Sequence, residues 1–334
     1  MENKISVVVC TYNQEDTIAR TLDSILMQQC HVPYEIIIGE DCSTDNTLSI
    51  CQQYAEHHPG IIRVMANKPN KGVVRNYFDC LLAADGKYIA DCAGDDFWTD
   101  PLKLEKEVSV MEQHPEVTLV LTRWNWYDEA TRQETPCAPP PFSQAIVKGT
   151  DALETILTQR DMSVYHLSSS LYAAEAFRKA YAEDAFLFRN NDFATEDISL
   201  VFMLARYGDI AYLPDFTMNY SIGKPSVSNL TNHEKLFRFF RQITGLTHYL
   251  IEHYNLHTTR TDQFMETRLF ALSMHAFRSF NPDLSAEVFR CAEEWHVCLT
   301  PRLHTVFFIM RHRWLWRIGL LARKGIVSAK QALR

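Results

Sequence analysis

The chain has 334 residues, 46% of them hydrophobic and 22% charged, so it is long enough for a large α/β domain with an appendage and too apolar for global disorder. Its net charge of −8 argues against a whole-protein nucleic-acid binder. The nine cysteines form no CxxC pair, which points away from a zinc site or a disulfide framework and toward a reducing cytoplasm.

The N-terminus runs at once into apolar residues 5–10 (ISVVVC), a short continuous run that predicts a buried strand and leaves no room for a signal peptide. Residues 16–28 have helical spacing through Ile18, Leu22, Ile25 and Leu26. Residues 35–38 predict a second buried strand, and Thr44 or Asp45 can cap a helix running to about residue 57. A third strand is expected over 61–65, a helix over 72–84, a fourth strand over 87–92, a helix over 102–114 and a fifth strand over 117–124. Strands alternating with helices predict a mostly parallel sheet flanked by helices, with ligands beyond the carboxyl ends of its strands. Residues 135–142 (TPCAPPPF) form a proline-rich break, a mixed segment runs to about 228, and helical patterns follow over 234–252, 261–280, 284–297 and 302–324. The expected organisation is an α/β domain over 1–230, with halves 1–130 and 131–230, and a helical C-terminal extension over 231–334.

Four clusters can carry chemistry. Asp95 and Asp96 follow the fourth strand, and adjacent carboxylates are costly unless a cation or hydrogen-bond donors neutralise them. A divalent cation carrying phosphates would do so; a solvated acidic turn is the equally weighted alternative. Glu40 and Asp41, after the second strand, can accept from a base N–H or ribose hydroxyls, or can belong to the turn before the next helix. Tyr12, in Thr11-Tyr12-Asn13, offers a flat face to a nucleobase. Glu196 and Asp197 open a predicted helix, where a carboxylate serves as a general base or simply complements the helix dipole. No GxGxxG, GxxxxGK[ST] or GxSxG stretch occurs, which disfavours a Rossmann dinucleotide site, a P-loop enzyme and a serine hydrolase.

Five segments in this order, SVVVCTYNQEDTI (6–18), YEIIIGEDCSTDNT (34–47), NKGVVRN (70–76), GKYIADCAGDDFWTDPLKL (86–104) and TEDISLVFMLARYGDIAYLPD (195–215), resemble the family 2 glycosyltransferases of GT-A fold. The resemblance implies an inverting enzyme that moves a sugar from a nucleotide-sugar, UDP by family habit, to a saccharide or lipid-linked saccharide in surface-polysaccharide synthesis. It implies that Thr11, Tyr12, Asn13, Glu40, Asp41, Arg75, Asn76, Asp95 and Asp96 bind the donor, that Asp96 and Asp95 hold Mn²⁺ or Mg²⁺, and that Asp197 is the catalytic base. His166, Glu196 and Lys224 would lie on the acceptor side.

The chain departs from the family in two places. Ala93 stands where an acid is frequent, which moves the expected metal ligation mainly onto Asp96. Tyr220-Ser221-Ile222-Gly223-Lys224 stands where Tyr-Arg-x-His is frequent, with Lys224 as a substitute cation. Two further readings remain at this stage. A sugar-phosphate nucleotidyltransferase would want a glycine-rich basic loop that Thr-Tyr-Asn-Gln does not supply. A non-catalytic nucleotide-binding relative is disfavoured by the retention of Asp96 and Asp197.

After Glu294 the chain has no acidic residue, and residues 302–324 mix apolar side chains with Arg311, Arg313 and Arg317. The pattern predicts either an interfacial helix on an anionic leaflet, placing the protein peripherally on the inner face of the cytoplasmic membrane, or a helix docked on the protein with a basic outer face.

Overall fold

The computed structural model describes residues 2–158, 165–223 and 232–321. The chain divides into two compact units, residues 1–224 and 225–334.

The first unit carries a mixed sheet of ten strands among the described residues. Its first half runs β1 (Glu2–Thr11), α1 (Ile18–Leu26), β2 (Tyr34–Glu40), α2 (Thr47–His57), β3 (Ile62–Ala66), α3 (Val73–Ala83) and β4 (Gly86–Asp91). A short β5 (Phe97–Trp98), α4 (Lys103–Gln113) and the long β6 (Val117–Asp128) follow. Then come β7 (Glu134–Pro136), β8 (Ile146–Val147), α5 (Gly149–Thr158), β9 (Ser170–Ala173), α6 (Ala174–Glu183), α7 (Ala185–Arg189), α8 (Asp197–Tyr207) and β10 (Asp209–Ile222).

The strand order is β3-β2-β1-β4-β9-β6-β10-β5, parallel through β3-β2-β1-β4 and antiparallel where β9, β5, β7 and β8 join. β1 pairs in parallel with both β2 and β4, so the chain's winding direction reverses there, the place where sheets of this kind bind ligands beyond the carboxyl ends of their strands. Register aligns Thr11 with Glu40 and Glu40 with Ala66, so the loops that follow leave from one rim. Ile5, Val7, Val9, Ile36, Ile38 and Ala90 are buried, as the apolar runs require for strands covered on both faces.

Asn46, rather than Thr44 or Asp45, occupies the N-cap position of α2, although the Asp45 carboxylate accepts from the Thr47 N–H at 3.0 Å. The antiparallel strand β9 and the 14-residue β10 arise from the segment that reads as mixed in sequence, and the two-residue β5, antiparallel to β10, lies in the loop after β4.

The second unit is helical. It contains α9 (His233–His253), α10 (Thr259–Ser279), α11 (Pro282–Glu294) and α12 (Pro301–Arg311), followed by a helix over 313–321. Asn232 caps α9 by accepting from the Glu234 and Lys235 N–H groups, and Thr258 with Thr261 forms a capping box on α10. Phe237, Leu269, Leu272, Val288, Leu303 and Phe307 belong to its core.

The single helix expected over 302–324 is interrupted. His312, at φ −111° and ψ 94°, ends α12. The turn lets Trp316 bury and donate its indole N–H to Phe277 O at 2.7 Å. No proline or glycine marks this break, because tertiary burial of Trp316 sets it.

Candidate active site

Three loops leave the carboxyl rim of β1, β2 and β4 and lock together. Asn13 sits in the left-handed region at φ 52°. Its carboxamide oxygen accepts from the Thr44 N–H at 2.8 Å, and its own N–H donates to Ser43 Oγ at 3.0 Å. The backbone of the third loop approaches the first closely: the Gly94 N–H donates to Cys10 O at 3.0 Å. A Cβ on Gly94 would lie 2.4 Å from Gln14 Oε1 and 2.9 Å from Thr11, so only glycine fits there.

Helix α1 then pins the third loop. Thr17 and Thr21 hydroxyls donate to Gly94 O, and Thr21 also donates to Asp96 O at 2.6 Å. Arg20 donates to Asp95 O at 3.1 Å and to Ser221 Oγ at 3.1 Å, pairs with Glu129 at 2.6 Å, and lies over the Phe97 ring.

The two aspartates of this loop occupy different environments. Asp96 is wholly buried; its Oδ2 accepts from the Ser168 hydroxyl at 2.7 Å and its Oδ1 from the Ser221 N–H at 3.1 Å. Burial, and then the adjacent Asp95 charge, push the Asp96 carboxyl well above its ordinary range. Asp95 is only partly buried, and burial raises its carboxyl too, against the nearby Arg20 charge. Sequence placed metal ligation mainly on Asp96. Both Asp96 oxygens accept from protein donors, and Asp95 retains exposed surface.

Glu40 is buried with Oε1 on the Ser43 N–H at 2.7 Å, and its Oε2 has no hydrogen-bond partner among the described residues. Asp41 is engaged by the loop before α3. It accepts from the Asn67 side chain and from the Lys71 and Gly72 N–H groups at 2.8–3.0 Å. Asn76 is buried and donates to Gly39 O at 2.8 Å while accepting from Asn67 at 2.7 Å. Asp41 and Asn76 therefore tie the loop before α3 to the end of β2. Tyr12 is 47% exposed at the rim, and Arg75 is exposed on the first turn of α3. Thr11 is buried and donates to Gln14.

From the second half of the sheet, Asp197 opens α8 and its Oδ1 accepts from the Ile198 N–H at 2.7 Å. Burial raises the Asp197 carboxyl; Glu196 beside it is pushed up to about 7 by burial and then by the Asp197 charge. Tyr220, on β10, feels the charge of both acidic groups. Burial, and then the charges of Asp96, Asp95 and Asp197, push its hydroxyl up to about 12. His166 packs on the Tyr220 ring at 4.5 Å and on Trp124 at 5.5 Å, with Nε2 4.0 Å from Asp96 Oδ2. Its Nδ1 faces the Ser168 N–H at 3.2 Å, so Nδ1 accepts and Nε2 carries the proton in the neutral ring. Burial lowers His166 to about 4, which keeps it neutral near pH 7.

Arg20, Ser168 and Ser221 escaped the sequence reading. No local pattern marks them, since their partners lie 72 to 201 residues away. Trp98 and Trp124 are core residues, and the Trp98 indole donates to Ser168 O at 2.9 Å. Lys224 lies outside the described residues.

Comparison with known proteins agrees with this architecture. The profile of Glycosyl transferase family 2 matches residues 6–179. A protein of Mycobacterium tuberculosis, itself uncharacterized, is 45% identical over 115 residues, covering 34% of this chain and 33% of its own. The putative glycosyltransferase EpsE of Bacillus subtilis is 40% identical over 150 residues, covering 44% of this chain and 52% of its own. The chain thus spans a third to a half of the length of these two relatives. Among solved structures, S. aureus TarS residues 1–349 in complex with UDP-GlcNAc has TM-score 0.58 at 18% identity, with 92% of this chain and 91% of that one covered. That likeness is one of fold. The chain belongs to glycosyl transferase family 2 and is built on the GT-A fold.

Proposed function

We propose that this family 2 glycosyltransferase moves a sugar, with inversion, from a UDP-sugar to a hydroxyl of a saccharide or lipid-linked saccharide during surface-polysaccharide synthesis. The observation that supports the reading is the buried group of Asp96, His166 and Tyr220, in which His166 packs on the Tyr220 ring with Nε2 4.0 Å from Asp96 Oδ2 and the charges of Asp95–Asp96 and, more weakly, Asp197 raise the Tyr220 hydroxyl.

The nucleotide would lie beside the loop held by Asp41 and Asn76, with Glu40 Oε2, unpartnered among the described residues, accepting from a base N–H or a ribose hydroxyl and Tyr12 beside the base. Thr11 and Asn13 would frame the rim, and Arg75, exposed on the first turn of α3, would serve a donor phosphate.

The carboxylates fit a hard divalent cation. Asp95 and Asp96 are adjacent, burial pushes both carboxyls up, and Asp95 retains exposed surface. Asp95 would hold Mn²⁺ or Mg²⁺, and Asp96, fixed by Ser168 and Ser221, would orient the loop. When bound, such a cation neutralises charge on the departing diphosphate. Asp197 takes the proton of the acceptor hydroxyl. The acceptor oxygen forms a bond to the anomeric carbon as the bond to the diphosphate oxygen breaks, and UDP leaves with the electron pair. A raised carboxyl makes a stronger base than an exposed aspartate. The Nε2–H of His166, on the acceptor side with Glu196, donates to an oxygen entering the space over Asp96.

The exposed apolar residues Phe308, Trp314, Ile318 and Leu321, with the exposed Arg311, Arg313 and Arg317, support peripheral contact of the 300–334 segment with an anionic leaflet. Among the described residues no helix is long and apolar enough to cross a membrane. This contact would bring a lipid-linked acceptor within reach.

The test is UDP release across a panel of UDP-sugars with Mn²⁺ and saccharide acceptors, comparing wild type with Asp197→Asn. Transfer is expected to vanish in the variant while UDP binding persists. Equal turnover in both proteins removes Asp197 from its role.

A further inference from the structure

A second cluster of ligating groups lies outside the candidate active site, where the connection between α1 and β2 meets α4. Cys30 Sγ, a ring nitrogen of His31 and a carboxylate oxygen of Glu105 lie within 4.8 Å of one another. His31 Nδ1 faces Glu105 Oε2 at 2.8 Å, and His31 Nε2 faces Glu112 Oε2 at 3.2 Å. Glu112 is one of the outward acids of α4, two turns beyond Glu105.

We propose that Cys30, His31 and Glu105 form a binding site for a borderline-soft divalent cation of the zinc class, with Glu112 orienting the imidazole. A thiolate, an imidazole and a carboxylate make three protein ligands, the number that leaves one tetrahedral position for water. The sulfur and nitrogen ligands select against Mg²⁺ and Ca²⁺ and so separate this site from the all-oxygen acids at Asp95 and Asp96. Glu112 supplies the outer carboxylate that metal-bound histidines usually engage: it accepts from Nε2–H and leaves Nδ1 to face Glu105 and Cys30.

The framework is already fixed. The Gln29 N–H donates to Pro101 O at 2.8 Å, the Gln28 side chain donates to Asp100 O at 2.8 Å, and the Leu104 N–H donates to Gln28 Oε1 at 3.1 Å. The His31 N–H also donates to Glu105 Oε2, at 2.9 Å. Closing the site therefore needs only side-chain rotations. The cation displaces the Cys30 thiol proton and the proton shared by His31 and Glu105, so binding tightens as pH rises. The sequence hid this site because its ligands come from two segments rather than from a CxxC pair. Its occupancy would clip the loop before β2 to the helix that follows the Asp95–Asp96 loop.

The experiment is a Co²⁺ titration of the chelator-treated full chain, with Zn²⁺ as competitor. Wild type should show one equivalent with a near-ultraviolet thiolate-to-cobalt band that Zn²⁺ abolishes. Cys30→Ser and His31→Ala should lose that band, and Glu112→Gln should weaken binding by roughly 10–100-fold. In wild-type protein Zn²⁺ should also protect Cys30 from alkylation, read on its peptide by mass spectrometry, which tests the site without any variant. Absence of a thiolate band, a band indifferent to Cys30→Ser and His31→Ala, or Cys30 alkylation unaffected by Zn²⁺ overturns the proposal.

Discussion

The Ser168 hydroxyl holds Asp96 Oδ2 at 2.7 Å, joining the turn before β9 to the loop after β4 across the sheet. Ser168 Oγ itself accepts from the Ala93 N–H at 3.1 Å, so one side chain completes the buried Asp96 carboxylate and a partly buried backbone N–H. Ser168→Ala leaves both unmatched, at a cost of about 1–3 kcal/mol in folding stability. It also frees Asp96 to turn, so the KM for donor should rise more than kcat falls. Urea denaturation and steady-state kinetics read the two effects, and a variant with unchanged stability and KM would show that the contact is incidental.

The pH dependence of transfer follows from Asp197. The base works ionised, and burial raises its carboxyl. Activity should therefore fall on the acid side through an apparent pKa above the usual aspartate value of about 3.9. Glu196, at about 7, adds a second ionisation in the same place, so the limb belongs to the pair. A profile of kcat/KM with saturating metal tests this; a limb at or below the usual aspartate value would argue against a buried base.

Asp91, the last residue of β4, is buried at 4% exposure, and burial pushes its carboxyl up to about 8. Tyr172 donates to its Oδ1 at 3.4 Å, while Oδ2 has no hydrogen-bond partner among the described residues. The folded chain keeps this proton up to about pH 8, whereas the unfolded chain loses it near pH 4. The stability tied to the group is thus complete below about pH 4 and is lost as pH climbs to about 8. Asp91→Asn removes that loss. It should be more stable than wild type at pH 8 by roughly 2–5 kcal/mol, with the gap shrinking toward pH 4. Chemical denaturation at both pH values measures it, and a gap independent of pH refutes the assignment.

Removing the whole tail is a poor test of membrane contact, because Leu303, Phe307, Met310 and Trp316 belong to the helical core. Trp314→Ser with Ile318→Ser and Leu321→Ser changes only exposed positions, at 63%, 55% and 68% exposure. The triple variant should keep its thermal transition and lose sedimentation with vesicles containing anionic lipid. Sedimentation equal to wild type would leave the basic, apolar stretch without a role at a membrane.

The parallel half of the sheet was readable because burial on both faces writes continuous apolar runs such as Ile36-Ile37-Ile38 into the chain. β10 was not readable: it holds Pro214, is partly exposed along its length and gains its regularity by pairing with β6. Within the site, the acids were visible as adjacent pairs, but their unequal surroundings were not. Only distant donors, Ser168 and Ser221, distinguish Asp96 from Asp95. The Cys30–His31–Glu105 cluster was hidden for the same reason, since helix packing brings it together.

Arg20 bonds to Asp95 O, Ser221 Oγ and Glu129 at once. The aspartate loop, the end of β6 and the end of β10 are thereby bolted to one helix. Swapping the 93–96 loop alone to retune sugar preference would strand this guanidinium; a transplant that works must carry Arg20, Glu129 and Ser221 as a single cassette.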